Sequence, residues 1–288
     1  MNQRLEPISL MQRRMNLGGH FHALTVRGGD SAWPIDPFLG VDHAWVSAPT
    51  FPAHPHAGFS AVSYVFLDSE VGILNRDSLG NENRIEPGSL HWMAAGRGVV
   101  HEEIPDAAPG TLHMLQIFVN LPSDRQQDAP FALSLAASEV PVVTLDNARV
   151  RVPLGRFQDQ RSPLLAPTDV TMLDIYIKPH SVLEIPVPAG ESAFVMPILD
   201  DVLVNGQLLT SDALTLPAFG ATATGHTIAI QTLDRGAKVV LFAGKPLQQD
   251  VFWNGPMAFA SRSALDMAAH RFQLGEFGTL TPTAVNQA

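Results

Sequence analysis

The chain has 288 residues, with 18 Lys and Arg against 28 Asp and Glu, a formal net charge of −10 and no cysteine. The lack of cysteine excludes disulfide scaffolds, zinc ribbons and thiol nucleophiles, so any metal must be held by His, Asp or Glu. The acidic balance, with no run of Lys or Arg, disfavours direct nucleic-acid binding while leaving room for a protein partner.

Hydrophobic residues make up 45% of the chain and charged residues 16%, alongside 23 Pro and 22 Gly. A sizeable core can be buried, the length suits two domains, and short apolar runs between turn residues predict an all-β chain. MNQRLEPISLMQRRMNLGG at the start lacks the apolar centre of a signal peptide, and no apolar stretch is long enough for a membrane span. A soluble cytoplasmic protein is therefore expected.

In chain order, the first half reads as strand after strand: HALTVRG, AVSYVFLD, VGILNRD, NRIEPGSLHWMAAG, VVHEEI and LHMLQIFVNL. Each is rich in Val, Ile, Leu or Phe and bounded by Gly, Pro, Asp or Asn. DSLGNEN (77–83) predicts a hairpin tip, where Gly80 and Asn81 tolerate positive φ. AAGRGVV (94–100) lacks the spacing of a phosphate loop and predicts a sharp turn into the next strand. The polar stretch SDRQQDAPFA (123–132) is the expected linker, which places domains at 1–130 and 131–288.

The second half is again strand-rich: VPVVTLD, ARVRVPLG, TMLDIYIKP, SVLEIPVP, SAFVMPILDD, LVNGQLL, ALTLPAFG, HTIAIQTLD and AKVVLFAG. A terminal helix is predicted in SRSALDMAAHRFQLGEFG, with Ser263 and Asp266 as a capping box and Gly275 as the stop. Leu265, Ala268, Ala269 and Phe272 share its apolar face. The halves also resemble each other. HAGFSAVSYVFLD (56–68) aligns with PAGESAFVMPILD (188–200), and SLHWMAAG (89–96) with ALTLPAFG (213–220). That pairing sets Gly58 against Gly190, Gly96 against Gly220, and His54 and His56 against Pro186 and Pro188. It implies a duplicated barrel in which only the first copy kept its histidines.

Residues two apart on a strand face the same way, so His54 and His56 of HPH converge, as do His101 and Glu103 of VVHEEI. Glu102 points away. Two neighbouring strands then offer three imidazoles and one carboxylate, a donor set suited to iron, copper, nickel or zinc. Four ligands leave open positions on a six-coordinate metal, as a catalytic site requires. An HxH by itself is a weak signal, and its pairing with HxE is what strengthens it. His20 and His22 share the spacing but have no carboxylate-bearing partner strand, and are read as structural or exposed. His91 is expected to pack or hydrogen-bond, and His113 is one candidate for supporting the site from behind the ligands. His43, His180, His226 and His270 lack partners at useful spacing.

At these residues the chain resembles the pirin family of the cupin superfamily. The likeness runs through FPAHPHAGFS, RDSLGN, PGSLHWMAAGRGVVHEEIP and LQIFVNLP, and through the tail GKPLQQDVFWNGPMAFASRSALDMAAHRFQLGEFG. The resemblance implies two jelly-roll-like cupin barrels in tandem with a C-terminal helix: a metal-binding barrel in 1–130 and a metal-free barrel in 131–288. It implies iron(II) held by His54, His56, His101 and Glu103, with nickel, copper, cobalt or zinc as alternatives. Where the family usually reads HPHRGFET, this chain reads HPHAGFSA, so Ala57 replaces an arginine, Ser60 a glutamate and Ala61 a threonine. His91 stands where glutamine is common, and Asn75 where histidine is common.

Two functions follow as expectations. The first is a quercetin 2,3-dioxygenase-like enzyme that brings a small aromatic flavonol and O2 together at the metal, with Glu103 taking the substrate proton. Phe51, Phe59, Trp92, Met93, Met114 and Phe118 are candidates for its apolar lining, alternation placing some of them outside. The second is an iron-dependent regulatory or redox-sensing protein that contacts a protein partner without turnover. A monomer is expected, since two barrels can cover each other's faces.

Overall fold

The computed structural model describes residues 5–29, 33–106 and 109–281. The first half forms β1 (Ile8–Leu17), β2 (Phe21–Arg27), β3 (Phe38–Val46), β4 (His54–His56), β5 (Phe59–Val65) and β6 (Ile73–Asp77). It continues with β7 (Glu82–Ile85), β8 (Leu90–Ala94), β9 (Val99–Pro105), β10 (Leu112–Asn120) and β11 (Phe131–Leu135). The second half comprises β12 (Val142–Thr144), β13 (Ala148–Leu154), β14 (Arg156–Phe157), β15 (Gln160–Arg161), β16 (Val170–Ile177) and β17 (Val182–Val187). It is completed by β18 (Ser192–Leu199), β19 (Val202–Val204), β20 (Gln207–Leu209), β21 (Thr215–Phe219), β22 (His226–Thr232) and β23 (Ala237–Gly244). The tail adds β24 (Phe252–Asn254), β25 (Met257–Phe259) and α1 (Arg262–Gln273).

One 13-stranded sheet runs β11-β8-β5-β10-β3-β2-β1-β21-β18-β23-β16-β13-β12. Against it stand two four-stranded sheets, β4-β9-β6-β7 and β17-β22-β19-β20. The two halves repeat one topology, β8-β5-β10-β3 matching β21-β18-β23-β16. Each half therefore closes as its own barrel-like sandwich of antiparallel strands.

Alternation along β10 separates two environments. Leu112, Met114, Gln116 and Phe118 line the cavity of the first barrel. Leu115, Ile117 and Val119 join a core cluster that also holds Ile175, Phe194 and Phe242 of the second barrel. The back faces of the two halves are thus one hydrophobic core, which explains why both faces of β5 are buried.

The chain exchanges elements between the halves. β1 pairs with β21 of the second half as well as with β2, and β11 pairs with β8 of the first. The boundary expected at 130/131 falls immediately before β11, whose pairing assigns it to the first sheet. The expected linker is hydrogen-bonded in place: Arg125 Nη1 donates to Pro167 O at 3.0 Å and Ala260 N donates to Gln126 Oε1 at 2.9 Å. The terminal helix returns to the first barrel, where Leu265 and Ala268 pack with Ala57, Val100, Met257 and Phe277. Its N-cap is Ser261, whose side chain accepts from Ala264 N, so the expected capping box at Ser263 and Asp266 does not form. Gly275 has φ +75° just past the last turn, as a left-handed stop requires. Phe272 is largely exposed and stacks at an angle on Phe277, so the buried helix face is narrower than its spacing predicts. No helix among the described residues is long and apolar enough to cross a membrane.

Candidate metal centre

β4 is an edge strand, a position in which Pro55 leaves no ladder hydrogen bond broken. It pairs with β9 so that His54 lies opposite His101, and directly opposed residues share a face. The turn that delivers β9 uses Gly96 at φ +46° and Gly98 at φ +132°, and Gly58 N donates to Gly96 O at 2.7 Å. The predicted turn at AAGRGVV is therefore what sets His101 level with His54.

His54 Nε2 lies 3.2 Å from His56 Nε2 and 3.3 Å from His101 Nε2. Donor atoms of these three residues all fall within 4.8 Å of one another. The Nδ1–H of His54 donates to Pro52 O at 2.9 Å, and that of His56 to Pro256 O at 3.3 Å. These bonds assign the tautomer of His54 and His56, leaving their Nε2 lone pairs beside the Nε2 of His101, whose buried Nδ1 has no partner among the described residues. Burial pushes all three imidazoles below the ordinary histidine range, His56 down to about 3, and neighbouring imidazoles depress His56 and His101 further. At neutral pH protons do not hold these nitrogens together. Converging lone pairs in a buried site fit a cation. A metal–nitrogen bond of about 2.1 Å places neighbouring donors about 3.0–3.4 Å apart, which matches the spacing from His54 to each of the other two.

Glu103 lies on the same face of β9, two residues on. Its carboxylate stands outside the group of three, with Ser63 Oγ at 2.7 and 2.8 Å from its oxygens and donating to it. Burial raises Glu103 to about 7, opposed by the Ser63 bond. Glu102 turns to the other face, where Arg76 Nη2 lies 2.6 Å from its carboxylate.

Histidines and glutamate share the wall of a cavity of about 400 Å³. Of the expected apolar lining, Phe51, Phe59, Met114 and Phe118 are present. Trp92 lies in the inter-barrel core, and Met93 packs with Ala95 and Val99. Arg27, held by Asp42 at 2.9 Å, stands over the Phe118 ring and gives the wall a neutralised polar corner. Trp253 and Pro256 close one side. Sequence reasoning missed Ser63, Gln116 and the tail residues. Ser63 could have been found by alternation from Phe59 and Ala61, but Pro256 is 200 residues from His56 and carries no local signal.

The other histidines divide clearly. His113 does not support the site. It faces the second barrel, where its Nδ1–H donates to Asp68 at 2.9 Å and its Nε2 lies 2.8 Å from His43 Nε2. The reason is strand parity: Met114 takes the cavity-facing position. His43, expected to lack a partner, is thus half of a buried histidine pair. His91 hydrogen-bonds as expected, to Asn75 Nδ2 at 3.3 Å and Ser134 Oγ at 3.0 Å. His22 stacks on Trp45, and His20 Nδ1 meets Gly18 O at 3.2 Å. Neither belongs to a metal-type cluster among the described residues.

The family model described as Pirin matches residues 29–119, and the Pirin C-terminal cupin domain matches 172–278. A pirin-like protein of Solanum lycopersicum is 32% identical over 248 residues, covering 85% of this chain and 82% of the relative. A quercetin 2,3-dioxygenase structure from Acinetobacter baumannii superposes with TM-score 0.85 at 23% identity, over 96% of this chain and 99% of that one. A bacterial pirin from Escherichia coli in complex with nickel(II) superposes with TM-score 0.63 at 18% identity, over 82% and 96% of the two chains. These structural likenesses show the shared fold, which the C-terminal match names a cupin domain.

Proposed function

The chain belongs to the pirin family, and on that footing we propose that its first barrel is a metal-dependent dioxygenase site for a flavonol such as quercetin, with iron(II) as the metal. The observation that carries this reading is the convergence of three Nε2 atoms on the wall of a largely apolar cavity beside one buried carboxylate. Its volume falls within the range of roughly 300–1,000 Å³ typical of small-molecule sites.

His54, His56 and His101 would hold the metal, with Glu103 as the fourth donor and, when not ligating, the proton acceptor. When bound, iron(II) supplies electron transfer between an electron-rich enol and O2. The protein's own contributions are positional and acid–base. Phe51, Phe59, Met114 and Phe118 offer flat apolar surface to a planar aromatic molecule and exclude water from its reacting edge. Glu103, poised near neutrality by burial, can take and return the proton of an acidic hydroxyl. Ser63 keeps that carboxylate aimed into the cavity. The name quercetin 2,3-dioxygenase belongs to the Acinetobacter structure, and it reaches this chain as a proposal on the strength of the cavity.

The test is turnover. Iron-loaded protein is incubated with quercetin while loss of visible absorbance and uptake of oxygen are followed. Wild type should consume both and His101→Ala neither. Bound metal without turnover of any flavonol would move the chain to the second reading, a metal-dependent regulatory protein.

A further inference from the structure

The second barrel has kept one histidine in the place of a ligand. Gly58 and Gly190 have φ +84° and +81°, and their N–H groups donate to Gly96 O and Thr222 O at 2.7 and 2.8 Å. From these shared anchors, His54 pairs with His101 in the first barrel and Val187 pairs with His226 in the second. Both strands of the second pair are one residue shorter from the anchor, so the cross-strand partnership is preserved. His226 thus occupies the place of His101, Val187 that of His54 and Ala189 that of His56. The direct alignment of His54 and His56 with Pro186 and Pro188 is corrected by that one-residue shift, and so is the expectation that the second copy lost all its histidines.

With Val187 and Ala189 at the other positions, no metal can be gripped there. Among the described residues His54, His56 and His101 form the one metal-type cluster. Yet the barrel is not filled. A cavity of about 410 Å³ remains, with His226 in its wall. His226 is 1% exposed, and its ring nitrogens have neither accessible surface nor a hydrogen-bond partner among the described residues, so a ligand atom reaches them only after the ring or the side chains over it shift. A buried imidazole with both nitrogens unpaired is costly unless something answers them.

We propose that this cavity binds a small uncharged molecule bearing a hydroxyl group on an apolar ring, the hydroxyl meeting His226 and the ring lying among Leu173, Ile185 and Leu241. A neutral imidazole offers one donor and one acceptor, and a hydroxyl answers either, whichever tautomer is present. Burial favours that neutral form. An anion is a poorer match, because the Glu191 carboxylate also lines the cavity and is itself under the influence of Asp169, so Arg156 does not act there as a lone cation. The inner wall of Leu173, Ile185, Val187 and Leu241 carries no charge.

The probe is phenol, titrated into the full-length chain while side-chain methyl NMR signals are followed. Signals of Leu173, Ile185 and Leu241 should shift saturably, and those of Ile73 and Leu112 report separately on the first barrel. Toluene, the same ring size without the hydroxyl, should bind about tenfold more weakly, the effect of one hydrogen bond in a buried site. His226→Phe should lose the preference for phenol, and Ala189→Trp at the rim should block both probes. Unmoved second-barrel methyls, or equal affinity for phenol and toluene in the wild type, would overturn the proposal. The phenol–toluene comparison decides the matter even if His226→Phe fails to fold.

Discussion

His91 and Asn75 each differ from the residue common in pirins, and the structure joins the two differences. Asn75 Nδ2 donates to His91 Nε2, whose other nitrogen meets Ser134 Oγ. One departure is matched by the other across the two facing sheets of the first barrel, Asn75 on β6 and His91 on β8. Burial lowers His91 to about 4, whereas in the unfolded chain it titrates near 6.5. The unfolded state therefore binds a proton in the window between these values, and stability from His91 is present above pH 6.5 and lost as pH falls toward 4. The full effect is about 3 kcal/mol. His91→Gln should flatten the pH dependence of urea unfolding between pH 6.5 and 4, and an unchanged slope would contradict the assignment. Ala57 has a similar logic: it is fully buried against Met257 and Phe259, which occupy the space an arginine would need. Ser60 leaves its buried hydroxyl without a partner among the described residues, and nothing in the structure explains that choice.

At the scale of elements, the corner between β4 and β5 is where local backbone and distant tail meet. A Cβ on Gly58 would lie 1.9 Å from Ala258 O, at a φ of +84°. Gly190 has nearly the same φ but open space within 4 Å. Gly190→Ala should thus cost about 1 kcal/mol from the backbone alone, and Gly58→Ala more than about 3 kcal/mol, because β25 must also move. Gly58→Ala should weaken metal binding too, since Pro256 O orients His56 from that same segment. Thermal unfolding and metal titration of both variants check this, and equal costs would count against the tail as part of the site. Strands with period-two apolar patterning were legible from composition. β1 was not, since most of its residues are exposed and its place is set by pairing with β2 and β21. β3 was hidden by Gly40, Asp42 and His43 inside it, all accommodated because β10 and β2 flank it on both sides.

The whole molecule is held by contacts that ignore the midpoint of the chain. Tyr64 OH donates to Asp174 at 2.8 Å, Lys238 Nζ lies 3.3 Å from Asp68 and 3.6 Å from Asp174, and Arg151 Nη2 donates to Gly88 O at 2.8 Å. These polar ties sit at the edge of the shared core between the back faces. A fragment of residues 1–130 would lose β11, the tail strands and α1, and would expose Leu115, Ile117 and Tyr64. It should not fold to a cooperative unit. A dispersed amide NMR spectrum with a sigmoidal melt from that fragment would refute this, and metal bound by it would show that the tail is dispensable for the site.

By itself the sequence determined the strand-rich class, the duplicated halves and the shared facing of the two residues within HPH and within HxE, because alternation and turn chemistry act over a few residues and are written locally. The tertiary structure alone decided which histidines meet, which face the neighbouring barrel, and that the last strands and helix close the first barrel. Those outcomes depend on register and on burial between segments as much as 200 residues apart, and no local pattern encodes a contact whose energy comes from water excluded by both partners at once.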